Sequence, residues 1–300
     1  MPQRLSFQDE ITRNKIKSAL LMGIIVVFFV ILGFIVSQFY DPSIFFTIMI
    51  VSIIISLLYI LISYYNSDKI ALASVKATPA SLQEYRQLHS AVDNMAIASG
   101  LPKPRVYVMQ SEQINAFASG RSPEHAVICV TTGALNKLSK QELEGVIAHE
   151  MGHVANFDIR FMTLTAVLVG MISIAAEIFL RSLWFRGGGR DSRGNAILMI
   201  IGILFAILAP IAAQLVSLAI SRRREFTADA TGVKFTRYPP GLANALKKIK
   251  HEHISPDDRH RYPKAVAPLF IANPFSRKKL QSIFATHPDV DERIKRIEAM

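Results

Sequence analysis

Hydrophobic side chains along this 300-residue chain fall into two regimes. Ser18–Phe39 and Ser43–Tyr65 each run for more than 20 residues without a charge, and helices of that length reach across a hydrocarbon core of roughly 30 Å. Tyr40, Asp41 and Pro42 alone separate them, so the two predicted membrane helices must form a tight antiparallel hairpin. The first does not read as a cleavable leader: it is too long, no small-residue cleavage site follows, and a second span comes at once. Phe161–Leu180 and Ala196–Ile220 are also long enough to cross, although Glu177 interrupts one and Pro210 and Gln214 the other. Length favours a second membrane hairpin there.

Elsewhere the apolar positions recur at shorter period among polar ones. Thr78-Pro79 reads as a helix start and Gly100 as its end, with Leu82, Tyr85, Leu88, His89, Val92 and Met95 along one face. Two β-rich runs follow, Arg105–Met109 and His125–Thr131, with Asn115–Ala118 between them and turns at Ser119-Gly120 and Arg121-Ser122-Pro123. Together they predict a small antiparallel sheet. Ser139 with Glu142 three residues later forms a capping box, and Leu143, Val146, Ile147 and Val154 then recur at helical spacing. Pro239-Pro240 introduces a helix that ends in Lys247, Lys248 and Lys250, Pro256–Pro274 reads as a proline-rich loop, and Pro288–Met300 as a closing helix. No internal repeat and no phosphate-binding glycine pattern is present.

A hydrophobic content of 51% with a net charge of +11 excludes a disordered chain and an ordinary soluble enzyme. The charge also orients the spans. Arg4, Arg13, Lys15 and Lys17 precede the first, its connecting turn has no Lys or Arg, and Lys69 and Lys76 follow the second. The positive-inside bias then places the N-terminus and the chain from about Ser67 onward in the cytoplasm, where the single Cys129, unable to form an intrachain disulfide, fits a reducing compartment. Full crossing of 161–220 would put Arg181, Arg186, Arg190 and Arg193 outside, against that bias. Either the first hairpin dominates orientation or the second pair is shorter in the membrane than it looks. Glu177 stands four residues before Arg181 and reads as an interfacial ion pair. Arg222, Arg223 and Arg224 read as snorkelling to headgroups, with no chemistry. The basic residues lack interleaved stacking aromatics, so an anionic lipid surface explains them better than nucleic acid.

The chemistry is carried by His149-Glu150-Met151-Gly152-His153. Positions four apart share a helix face, so His149 and His153 can bind one metal ion while Glu150 stands beside it as general base for an activated water. A catalytic zinc needs a third protein ligand. A third histidine six residues past the motif is excluded, because Asn156 and Ile159 stand where the metzincin glycine and histidine would be. The other common solution is a glutamate on a second helix with an aspartate one turn on to accept the spare N–H of a ligand histidine. Of the twelve glutamates, Glu225 alone has an Asp four residues later, Asp229. Glu225 is thus the expected third ligand, with His251, His253 and His287 as the alternatives, and the apolar stretches between His153 and Glu225 must leave and return side by side at the membrane surface.

In its N-terminal spans, Asn115-Ala116-Phe117-Ala118, His149–His153, Glu225 with Asp229, and Thr286-His287-Pro288, the chain resembles the HtpX-type membrane zinc peptidases, relatives of the CAAX prenyl protease. The resemblance covers nearly the whole chain. It implies an α+β, mainly α-helical integral membrane protein: a gluzincin-like domain with a small antiparallel sheet, plus two transmembrane hairpins. The corresponding division is 1–66 as the first hairpin, 67–160 and 221–300 as the two parts of the peptidase domain, and 161–220 as a hairpin inserted between zinc ligands. It further implies one Zn2+ per chain, residence in a bacterial inner membrane, and cleavage of misfolded or unfolded membrane proteins under stress. By the same resemblance Asn115, Ala116, Phe117 and Ala118 form the strand that binds substrate, and His287 stabilises the transition state. The rival functions are a CAAX-type peptidase, which would be expected to carry more spans, and a non-catalytic zinc-binding scaffold, which would have no use for Glu150.

Overall fold

A computed structural model describes residues 7–38, 41–168, 170, 222–252, 266, 269–272 and 288–300. Helices α1 (Phe7–Ser37) and α2 (Phe45–Tyr65) lead the chain. Between them Asp41 accepts the Ser43 N–H at 2.9 Å and caps a short 3-10 turn, Pro42–Ile44. The two helices pack together, and Gly33 comes so near that a Cβ there would lie 2.0 Å from the Ser52 hydroxyl. Burial in α2 is inverted relative to a water-soluble helix. Ser56 and Ser63 are hidden, whereas Phe46, Ile50, Leu58 and Leu61 are at least half exposed. The buried Ser56 hydroxyl donates within its own helix, to the Ile53 carbonyl at 2.7 Å. An apolar surface of this extent is favourable against lipid and not against water. Asn14–Phe34 and Pro42–Tyr65 reach mean hydropathies of 2.5 and 2.8 and are long and apolar enough to cross a membrane, at the places where the first two spans were expected. The predicted second hairpin lies outside the described residues beyond Leu168, apart from Gly170.

Helix α3 (Ser67–Ser74) then leads into β1 (Thr78–Pro79), where a helix start was expected. Proline biases the residue before it toward extended backbone, and Thr78 and Pro79 pair with Val108 and Tyr107. The helix, α4 (Arg86–Ser99), begins several residues later and ends at Gly100 in the left-handed conformation (φ 69°). Leu88, Val92 and Met95 are buried as the periodicity predicts, but Leu82 stays outside the helix and exposed.

Strands β2 (Arg105–Met109), β3 (Ala116–Ser119) and β4 (Val127–Thr131) complete a sheet of order β1-β2-β4-β3. The sheet is mixed rather than antiparallel, because β4 returns from β3 and slots in parallel to β2, Arg105 opposite Val127. The reversal between β2 and β3 is made by residues 110–115. Thr131 anchors it, its hydroxyl donating to the Gln113 carbonyl at 2.6 Å and accepting the Asn115 N–H at 3.0 Å. Gly120 (φ 140°) turns the chain toward β4 with its α-carbon against the His125 carbonyl, 2.4 Å from where a Cβ would stand.

Both faces of β3 and β4 are covered, which explains their unbroken apolar character. Ala116, Ala118, Ile128 and Val130 pack with α4 and with α6 (Lys140–Ala155) in the main core, while Phe117, Val127 and Cys129 face Ala71, Leu72, Leu269 and Phe270. After α5 (Thr132–Lys137), Ser139 caps α6 with the predicted reciprocal box. Helices α7 (Arg222–Thr236) and α8 (Pro239–His251) pack on the far side of α6, and α9 (Val290–Glu298) packs on those two.

Candidate metal centre

Helices α6 and α7 cross at glycines. A Cβ on Gly152 would lie 2.9 Å from the Ala228 carbonyl, and one on Gly232 2.9 Å from the His149 nitrogen. With no side chain between the backbones, the face of α6 bearing His149 and His153 meets the first turns of α7 directly. The structure thereby brings His149, His153 and Glu225 together, their ligand atoms within 4.8 Å of one another. His149 Nε2 is 3.8 Å from Glu225 Oε2, and His153 Nε2 is 3.6 Å from Glu225 Oε1. All three residues are buried. Of the alternative third ligands, His251 is exposed at the end of α8, and His253 and His287 lie outside the described residues.

Each imidazole is held from behind by a carboxylate. His149 Nδ1 lies 2.9 Å from Asp229 Oδ1, the pairing expected of Asp229, and His153 Nδ1 lies 3.1 Å from Asp158 Oδ2. In the neutral imidazole a proton fixed on Nδ1 leaves the lone pair on Nε2, and both Nε2 atoms face Glu225, the donor set that zinc takes; Arg293 Nη2 lies 3.4 Å from each ring nitrogen of His149. His287 would have to reach this cluster from outside the described residues.

The carboxylates are themselves clamped. Arg293, buried on α9, donates Nε and Nη2 to Asp229 at 2.9 and 2.7 Å, places Nη1 3.3 Å from Glu225 Oε2, and also donates Nη1 to the Ile271 carbonyl at 3.2 Å. Burial raises the Asp229 pKa, but the Arg293 charge and the His149 bond overcome it and hold the carboxyl at about 2. On the other side Arg224 Nε is 3.3 Å from Asp158 Oδ1, and its guanidinium lies 4.8 Å over the Phe161 ring. That corrects the expectation of snorkelling: Arg224 is 5% exposed and belongs to the interior.

Glu150 is also interior. One carboxylate oxygen accepts the Ala118 N–H at 2.7 Å, and the other has no hydrogen bond among the described residues. Burial, aided by the Glu225 charge, pushes its pKa up to about 7 against the pull of His153 and Arg293. Burial lowers the pKa of His149 more than Asp229 restores it. For His153 the balance reverses: burial lowers it, but the Asp158 bond and the charges of Glu225, Asp158 and Glu150 lift it to about 9. The carboxylates gathered here favour positive charge, and a cation bound by His153 would have to displace the proton that they hold on its ring.

Asn115–Ala118 lies at the sheet edge beside this cluster. Its outward backbone is already engaged: Ala116 accepts the Ile271 N–H at 3.0 Å, Asn115 Nδ2 donates to the Ala272 carbonyl at 2.9 Å, and the Phe117 and Phe270 rings meet edge to face at 5.3 Å. The partners that the sequence did not reveal are Asp158, Arg224 and Arg293. Arg293 alone left a signal, a cation on the apolar stripe of the closing helix beside Val290, Ile294 and Ile297.

A metal cluster with an idle scaffold role would have no need of a buried carboxyl poised at Glu150; this arrangement is that of a metallopeptidase. The chain belongs to peptidase family M48, whose profile it matches over residues 82–300. It is 47% identical over 252 residues to a protease HtpX homolog of Thermoanaerobacter pseudethanolicus, covering 81% of each chain. It is also 38% identical over 290 residues to one of Tropheryma whipplei, covering 97% of each. Among solved structures it is similar to S. mikatae Ste24p, at 20% identity and a TM-score of 0.47, with 95% of this chain and 65% of that one covered.

Proposed function

We propose that this membrane metallopeptidase is a zinc endopeptidase of the bacterial cytoplasmic membrane that cleaves misfolded or unfolded membrane proteins at the cytoplasmic face. The observation that carries the reading is the pair of imidazoles, each fixed through Nδ1 by a carboxylate and each turning Nε2 toward Glu225, with Glu150 buried beside them. The names of the relatives support the protease assignment and the lipid-facing α1 and α2 support the location. In this reading 161–220 is a second membrane hairpin joining the two halves of the peptidase domain.

His149, His153 and Glu225 would hold one zinc ion, which when bound supplies an electrophile that acidifies water and polarises the scissile carbonyl. Glu150, with its pKa near 7, takes the proton of the attacking water and passes it to the departing amine. Asp229 and Asp158 keep the ligand imidazoles in the Nδ1–H form. His287 donates a hydrogen bond to the developing oxyanion. Substrate adds as a strand to Asn115–Ala118, so main-chain bonds supply most of the recognition and specificity is broad. That edge is partly taken by Leu269–Ala272, which substrate displaces.

The test is cleavage of an unfolded membrane protein in detergent. Wild type should cut in a chelator-sensitive, zinc-restored manner, and Glu150→Gln should bind zinc yet not cut; full activity in that variant would sink the mechanism.

A further inference from the structure

The first membrane helix enters the metal centre. Asn14, on α1 and just before the lipid-facing stretch, is 2% exposed. Its amide Nδ2 donates to Asp158 Oδ1 at 2.8 Å and lies 3.3 Å from the Asn156 carbonyl, while its Oδ1 accepts from Arg224 Nη2 at 2.9 Å. Asp158 is the residue whose other oxygen meets His153 Nδ1. A side chain 144 positions away in sequence therefore completes the hydrogen bonding of the carboxylate that orients a ligand histidine.

The surroundings show a built contact. After α6 ends, Phe157 adopts the left-handed conformation (φ 57°), uncommon for a residue with a side chain, and the chain turns so that Asp158 comes back toward His153. Lys15 of α1 sits over the Phe157 ring at 5.5 Å and Lys17 over Phe161 at 6.0 Å. One turn further on, Leu21 and Ile25 pack with Phe161, Leu164 and Leu168.

We propose that Asn14 is a positioning residue of the metal centre, acting on His153 through Asp158, so that α1 is part of the catalytic apparatus as well as an anchor. An aspartate flanked by an amide donor on one oxygen and an imidazole on the other has one orientation available. Without Asn14 the carboxylate can turn toward Arg224 alone, and the His153 ring loses its fixed plane. The inference rests on the zinc-site reading above, and its test separates the two.

The full-length protein in detergent is titrated with zinc against a chromogenic chelator, for wild type, Asn14→Ala, Asp158→Asn and the double variant. Partners of this kind alter metal affinity by about 10–100-fold. Asn14→Ala should weaken zinc binding about 10-fold, and should add less than about 2-fold once Asp158 is already Asn. At saturating zinc, kcat for a labelled unfolded polypeptide should fall with KM unchanged. Ser18→Ala, which removes a buried polar group one turn on from Asn14, should leave zinc affinity as in wild type. Should Asn14→Ala not fold, Asn14→Asp keeps the shape, removes the donor and should show the same loss. Wild-type affinity in a folded Asn14 variant, or losses that multiply in the double variant, would overturn the proposal. A wild-type chain that binds no zinc would overturn the reading beneath it.

Discussion

At Glu150 chemistry and stability pull in opposite directions. The carboxyl is buried, and raising its pKa from 4.5 to about 7 means that the folded chain holds this proton more tightly than the unfolded one. The group's stabilising contribution is therefore fully present below about pH 4.5 and is lost as the pH rises through 7. The loss amounts to about 3 kcal/mol, at 1.36 kcal/mol per pH unit between the two values. Glu150→Gln abolishes the ionisation and nearly keeps the shape. In metal-stripped protein at pH 8 it should raise the melting temperature by about 6–12 °C, whereas at pH 5 the shift should stay within about 2 °C. Scanning calorimetry of chelator-treated, detergent-solubilised protein at the two pH values reads both numbers. Equal shifts at pH 5 and pH 8, or a lower melting temperature at pH 8, would refute the argument that burial of an ionised carboxylate is what the fold tolerates for the sake of a general base.

Three further outcomes follow from the geometry. Asp229→Asn replaces one acceptor oxygen by a donor and removes the charge, so His149 and the two Arg293 nitrogens can no longer all be satisfied, and zinc affinity should fall by about 10–100-fold in a chelator competition; an unchanged affinity would refute the role given to Asp229. Gly232→Ala drives a methyl group into the backbone of His149, so α6 and α7 must separate. Stability should drop by about 1–3 kcal/mol in denaturant titrations, with reduced zinc content, and a neutral effect would show that the crossing has slack. Phe270→Ala frees the Asn115–Ala118 edge: melting temperature should fall while kcat/KM on an unfolded polypeptide rises, and a lower kcat/KM with normal zinc content would argue against strand addition there.

What could be seen in the sequence divides by range. The start of helix α6 was legible because its signals are local: Ser139 and Glu142 form a box within one turn, and the two histidines need nothing but helical spacing. Glu225 and Asp229 were legible because they obey the same spacing on a second helix. The mixed sheet was not, since nothing in β2, β3 or β4 states which neighbour each will take; that follows from how residues 110–115 reverse the chain. Thr78-Pro79 carries signals for both a helix start and an extended pair, and the free edge beside Val108 decided between them. Arg224 follows a long apolar stretch and has the composition of a headgroup anchor. Its burial depends on Asn14 and Asp158, whose proximity no local pattern announces.

The glycine crossing of α6 and α7 has a consequence for how this chain tolerates change. The metal ligands meet because two helix backbones touch at Gly152 and Gly232, so the centre is set by packing and not by the length of the chain between the helices. Each doubling of a flexible connection costs only about 0.6 kcal/mol in closure entropy. Asp158, Phe161 and Leu168 stay with the first half, so a change of chain length between positions 168 and 222 should cost the crossing little. Two co-expressed fragments divided there should reassemble a working centre, whereas one methyl group at the crossing would undo it.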